Sequence, residues 1–118
     1  NPLGCAMALA SLAQHADPAV AASVRERGAA LRSALVSLNS PRLGHIRGLG
    51  LMLGAEVVNP DGSPDTERAI HIVQASLRAG LILLADSPTA NVLSFSPPFA
   101  IDDEEIAFTA ATLATLLR

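Results

Sequence analysis

The chain contains no lysine. All eight of its basic residues are arginine, set against eleven acidic residues for a formal net charge of −3. Without lysine there can be no Schiff base on a side chain of this polypeptide, no lysine nucleophile and no P-loop lysine to reach a phosphate. Tryptophan and tyrosine are also missing and only three phenylalanines are present, which excludes an aromatic platform for single-stranded nucleic acid. The acidic balance lacks the electrostatic footprint of a nucleic-acid binder. Cys5 is the only cysteine, so no disulfide framework can form, and a reducing, cytoplasmic setting is the default expectation. No apolar run approaches the ~18 residues of a membrane-spanning helix, and the first residues lack the basic region of a signal peptide. Neither a nucleic acid nor a membrane is therefore an expected partner. Asn1 is not preceded by an initiator methionine, and the chain is expected to be a piece of something longer.

What is present is apolar. Half of the 118 residues are hydrophobic, chiefly Ala and Leu, which suggests surface hidden against another domain or subunit. Asn1-Pro2 reads as a helix start, and the segment to Ala16 is apolar almost all round, the signature of a helix buried on every side, with Cys5 as an inert packing residue. Asp17-Pro18 opens a second helix reaching about Leu38, with Val20, Val24, Leu31, Leu35 and Leu38 at helical spacing. Gly28 lies inside it without an evident reason. From His45 to Val58 the period changes to two. Leu49, Leu51, Leu53, Ala55 and Val57 form one apolar face, with Gly50 and Gly54 opposite, and a break at Gly48 is an option. Asn59 to Gly62 is a turn. A third helix, starting between Ser63 and Thr66, carries a stripe of Ala69, Ile70, Val73 and Leu77 and stops at Gly80. Leu81–Leu84 and Asn91–Ser96 read as strands. Asp102 caps a last helix with Glu105 in capping-box position, lined by Ile106, Ala110, Leu113 and Leu117. The expected fold class is α+β, a small, largely antiparallel sheet with helices packed on one face.

No catalytic constellation stands out. Arg47 to Gly54 is glycine-rich, but Leu53 occupies the third glycine's place of a dinucleotide fingerprint, and the segment enters a strand where such loops leave one. His15, His45 and His71 do not have metal-ligand spacing. The acidic run Asp102–Glu105 is explained by a helix N-terminus. No serine has a nucleophile-elbow setting.

Four segments nevertheless resemble class III (omega-type) aminotransferases, pyridoxal-phosphate enzymes of fold type I. Asn1 to Ala10 resembles the family's N-P-L-x-C-A-A-A-L-A stretch. Ile46 to Gly54 resembles V-R-G-L-G-L-M-L-G, Ala79 to Leu83 resembles R-G-L-L-L, and Asn91 to Ile101 resembles N-V-I-R-x-x-P-P-L-x-I. The resemblance implies a C-terminal small domain (17–118) with a buried helix (1–16) leading from a large domain. That large domain, upstream of Asn1, would hold the pyridoxal 5'-phosphate and its lysine, and the parent would be a homodimer. The parent would move an amino group between an amine or amino acid and a 2-oxo acid, while this fragment alone would not be catalytic and would bind no cofactor. Asn1 and Pro2 would form the shoulder of a cross-subunit contact to the cofactor phosphate. Ser94, where ornithine-aminotransferase-like members have arginine, and Arg47 become the candidate substrate-binding residues. No catalytic residue and no metal ligand is expected within the chain. The alternative carried by the residues alone is a non-catalytic α+β regulatory module that binds a small ligand.

Overall fold

The computed structural model describes residues 1–118. Four helices and four strands follow one another: α1 (Pro2–His15), α2 (Pro18–Ser37), β1 (Leu43–Leu49), β2 (Met52–Val57), α3 (Thr66–Arg78), β3 (Leu84–Asp86), β4 (Val92–Phe95) and α4 (Asp103–Leu116). Each helix begins on a side chain that satisfies one of its unpaired amides. Asn1 accepts from the Gly4 N–H at 3.4 Å, Asp17 from Ala19 at 2.8 Å and Asp65 from Arg68 at 3.0 Å. At α4 the capping box is complete: Glu105 N–H donates to Asp102 at 2.9 Å, and Asp102 N–H to the Glu105 carboxylate at 3.1 Å.

The strands form one antiparallel sheet in the order β1-β2-β4-β3. Leu53, Ala55, Val57, Leu93 and Phe95 are buried on one face of it, where Leu31 and Leu35 of α2, Ala69 and Ile72 of α3 and Ile106 and Leu113 of α4 pack against them. The fold is thus the α+β arrangement expected, with helices on one face. The other face carries no helix.

The sequence reading needs correction in three places. The segment from His45 to Val58 is not one strand. A two-residue hairpin turn at Gly50-Leu51 reverses the chain, so the break lies two residues beyond Gly48. Gly50 has φ +54, at the position where a short hairpin turn of this kind calls for glycine. Leu49 therefore sits on the other arm of the hairpin, opposite Met52, and is 87% exposed, while Leu51 tucks into the core. Second, Leu81–Leu83 are not a strand; β3 is Leu84–Asp86. Third, α3 is rotated by about one position from its expected stripe. Ile72 and Ser76 are buried, while Ile70 and Leu77 are exposed. Cys5 is exposed, as is every other residue of α1, so nothing within this chain covers that helix.

Gly28 now has a reason. A β-carbon there would lie 2.2 Å from the Gly50 carbonyl oxygen, so glycine lets the middle of α2 touch the hairpin turn. The price in helix propensity, about 1 kcal/mol relative to alanine, is offset by that close approach. Helix α1, in contrast, packs against no element except α2. Its tip is held by the His15 ring, which meets Phe99 edge-on at 5.2 Å.

Candidate functional site

The open face of the sheet is where the candidate substrate residues meet. In an antiparallel pair, directly opposed residues project to the same side. Arg47 on β1 is opposite Gly54 on β2, Gly54 is opposite Ser94 on β4, and Ser94 is opposite Leu84 on β3. Arg47, Gly54, Ser94 and Leu84 therefore form one row straight across the sheet, on the face away from the helices. Two strand spacings, about 10 Å, separate Arg47 from Ser94, and the glycine between them is partly covered by Val92, whose Cγ1 would lie 3.0 Å from a β-carbon at Gly54.

Arg47 is not free. Its guanidinium forms an ion pair with Glu56, the diagonal neighbour two residues beyond Gly54 on the same face of β2. The hydrogen bond from Arg47 holds the Glu56 carboxyl below the usual carboxylate range, against a smaller opposing effect of burial. Glu56 was not singled out from the sequence. Once the turn at Gly50-Leu51 is recognised, the signal is simple: two opposite charges bracketing a tight hairpin are brought face to face.

Ser94 is half-buried and also lines a cleft of about 500 Å³ at the β3 edge of the sheet. The cleft is bounded by the Leu81–Leu84 segment, the Ser96-Pro97-Pro98 turn and Phe108 of α4. Its volume falls in the range of small-molecule sites. Beside it, the loop before β4 is fixed by buried Asn91, whose amide donates to the Val57 carbonyl at 3.1 Å and whose carbonyl accepts from Thr89 at 2.7 Å.

Asn1 and Pro2 lie elsewhere, at the exposed start of α1, and the Asn1 side-chain oxygen Oδ1 accepts from the Gly4 amide. They are not brought together with Arg47 and Ser94 by any packing of α1 on the sheet. The residues present do not compose a pyridoxal-phosphate site, because there is no lysine; the Asn1 side-chain oxygen accepts the helix-cap bond and its amide nitrogen remains a donor. The histidines are dispersed over α1, β1 and α3. No helix is long and apolar enough to cross a membrane.

Comparison with known proteins accounts for this incomplete arrangement. The sequence profile of the family described as "Aminotransferase class-III" matches residues 1–117. The chain is 33% identical over 108 residues to a 2-aminoadipate transaminase of Pseudomonas putida, a match that covers 88% of this chain and 26% of that protein. It is 38% identical to an acetylornithine/succinyldiaminopimelate aminotransferase of Photorhabdus laumondii, covering 91% of this chain and 26% of that one. The fold superposes on the crystal structure of a Bacillus anthracis aminotransferase with a TM-score of 0.88 at 32% identity, covering 99% of this chain and 28% of the other. The chain thus spans about a quarter of the length of the relatives it matches, and it belongs to the class III aminotransferase family.

Proposed function

We propose that this chain is the C-terminal small domain of a pyridoxal-phosphate-dependent aminotransferase. The parent transfers an amino group between an amine or amino acid and a 2-oxo acid. The observation that carries the reading is the combination of a family match over residues 1–117 with a span of only about a quarter of the relatives. The lysine-free chain then does not hold the cofactor. A large domain supplies the lysine and the cofactor pocket, and the cofactor supplies the electron sink that amino transfer requires.

The residues of this chain shape the pocket. The open sheet face, with Arg47, Gly54 and Ser94, is turned toward the substrate and the large domain. Ser94 offers a neutral hydroxyl where some relatives place a guanidinium, and a hydroxyl cannot make the bidentate contact that fixes a carboxylate. Asn1 and Pro2 form the shoulder of a phosphate contact that reaches the cofactor of a second subunit in a homodimer. The enzyme works in the cytoplasm. The competing idea of a regulatory ligand-binding module gives no reason for four family-like segments in order.

The test is borohydride reduction after addition of pyridoxal phosphate, followed by peptide mapping. The full-length parent is expected to carry the reduced adduct on a lysine outside these 118 residues. The 118-residue chain is expected to carry none on any side chain, once its terminal amine is blocked. A full-length protein without a lysine adduct would overturn the reading.

A further inference from the structure

We propose that Asp86 and Ser94 together hold a primary ammonium, and that the parent therefore takes amino donors with a second amino group at their far end. The proposal rests on the reading that the open sheet face lines the parent's substrate pocket. Asp86 is then the charge that selects the donor, and Ser94 the neutral acceptor beside it.

Leu84 on β3 is opposite Ser94 on β4, and Asp86 is opposite Val92. Asp86 therefore shares the open face with Ser94, as its diagonal neighbour. The offset is the one that joins Arg47 to Glu56, which stands two residues beyond the directly opposed Gly54. On this twisted sheet that diagonal brings side chains together. Residues so related lie about 7–8 Å apart at their backbones. An ammonium, with its three N–H donors, fits between a carboxylate and a hydroxyl at that separation. Val92 directs its Cγ1 toward Gly54 on β2, the side away from β3.

The charges around this pair favour a cation. Asp86 is exposed and enters none of the chain's ion pairs, which join Arg27 to Asp103, Arg47 to Glu56 and Arg68 to Asp65. One of its carboxylate oxygens accepts from the Ser87 N–H at 2.7 Å, which leaves the other for a ligand. Ser87 has φ +85, an outlier for a non-glycine residue of the kind concentrated at ligand sites. The basic residues of the strands, His45 and Arg47, both lie on β1 at the opposite edge of the sheet, three strand spacings or about 14 Å away. The cleft that Ser94 lines has no basic residue on its walls, and its one charged residue is Glu105. Leu84, beside Ser94 and 66% exposed, gives the methylenes of such a donor an apolar surface. An arginine at position 94 would pair with Asp86 itself, whereas serine leaves that carboxylate available. The hydroxyl thus turns this edge of the face from an anion site into a cation site.

The experiment compares steady-state amino transfer from 1,4-diaminobutane and from pentylamine by the full-length holoenzyme. The two donors have the same number of non-hydrogen atoms and differ in an ammonium against a methyl at the far end. For a parent confined to amino acids, ornithine and norleucine make the same comparison. Asp86→Asn is expected to raise KM for the diamino donor relative to its partner by about tenfold, the size of one charge-assisted contact. Asp86→Ala, a second way of removing the charge, should show the same shift. Ser94→Arg, which supplies Asp86 with a cation, should move the ratio to the same extent. A merely structural role for Asp86 would weaken both donors alike and leave the ratio in place. An active enzyme whose KM ratio is unmoved by the Asp86 variants, or by Ser94→Arg, would overturn the proposal. So would a holoenzyme active on other amines or amino acids but on neither diamino donor. A full-length protein that transfers from no amine or amino acid would instead overturn the functional reading beneath it.

Discussion

Single residues carry consequences here that their type does not announce. Gly28 looks like a flaw in a helix until Gly50 is placed against it. With a β-carbon 2.2 Å from the Gly50 carbonyl oxygen, Gly28→Ala must push α2 from the hairpin turn. It is expected to destabilise the chain by about 3 kcal/mol, at the upper end of overpacking costs, measured as a lowered urea midpoint. Ser76 is the opposite case. It is fully buried, and its hydroxyl has no hydrogen-bond partner. A buried hydroxyl without a partner opposes folding, so Ser76→Ala is expected to leave stability unchanged or raise it by about 1 kcal/mol, read from the same midpoint. Glu56 gives a pH dependence. Its folded pKa is lowered below the ordinary value of 4.5, so the unfolded chain binds the proton more readily. The pair's contribution is fully present above that value and is lost as pH falls through the lower, folded pKa. In Arg47→Met the acid limb of the stability profile should flatten by less than about 1 kcal/mol, as befits an exposed pair.

Elements were legible in the sequence to the extent that their ends were marked chemically. Three helices announce themselves through Asn1, Asp17 and Asp102, each followed by the helix that it caps, whereas the start of α3 stays open between Ser63 and Thr66 until the structure places its cap at Asp65. Asp102→Ala removes the capping box of α4 and is expected to cost about 1 kcal/mol, visible as a lower melting temperature. The hairpin was misread for a physical reason. A period-two pattern records which residues alternate, but a reversal at two residues keeps the alternation intact while exchanging the faces, so Leu49 seemed to continue the face of Leu53 and Ala55. The rotation of α3 has a different origin. Its core stripe includes Ser76, a polar residue that no apolar template selects, while Ile70 and Leu77 spend their hydrophobicity on the surface. The candidate row inherits this partial legibility. Arg47 and Ser94 were marked by resemblance to a family, but their alignment across Gly54 depends on strand register, and Glu56 depends on the turn.

At the scale of the whole molecule, two apolar surfaces have no partner within the chain. Helix α1 leaves Leu3, Met7, Leu9 and Leu12 between 65% and 69% exposed, and the open sheet face adds Leu49, Met52 and Leu84. The all-round apolar pattern of α1 predicts burial, yet none of its residues is buried by this chain. On the present account a large domain covers it. Amide hydrogen exchange should then find α1 protected in the full-length protein and fast-exchanging in the 118-residue chain, because an exposed helix of this length opens readily. Equal, rapid exchange in both would place α1 in solvent. In isolation the same surface is expected to drive self-association, detectable by analytical ultracentrifugation as a sedimentation coefficient that rises with concentration. The most direct test of the central claim is the rate of amino transfer to a 2-oxo acid, measured for the full-length protein and for the 118-residue chain, each supplied with pyridoxal phosphate. The account predicts enzymatic transfer by the first and none above the free-cofactor background by the second. Enzymatic transfer by the lysine-free chain, or none by the full-length protein across amine and amino-acid donors, would contradict it.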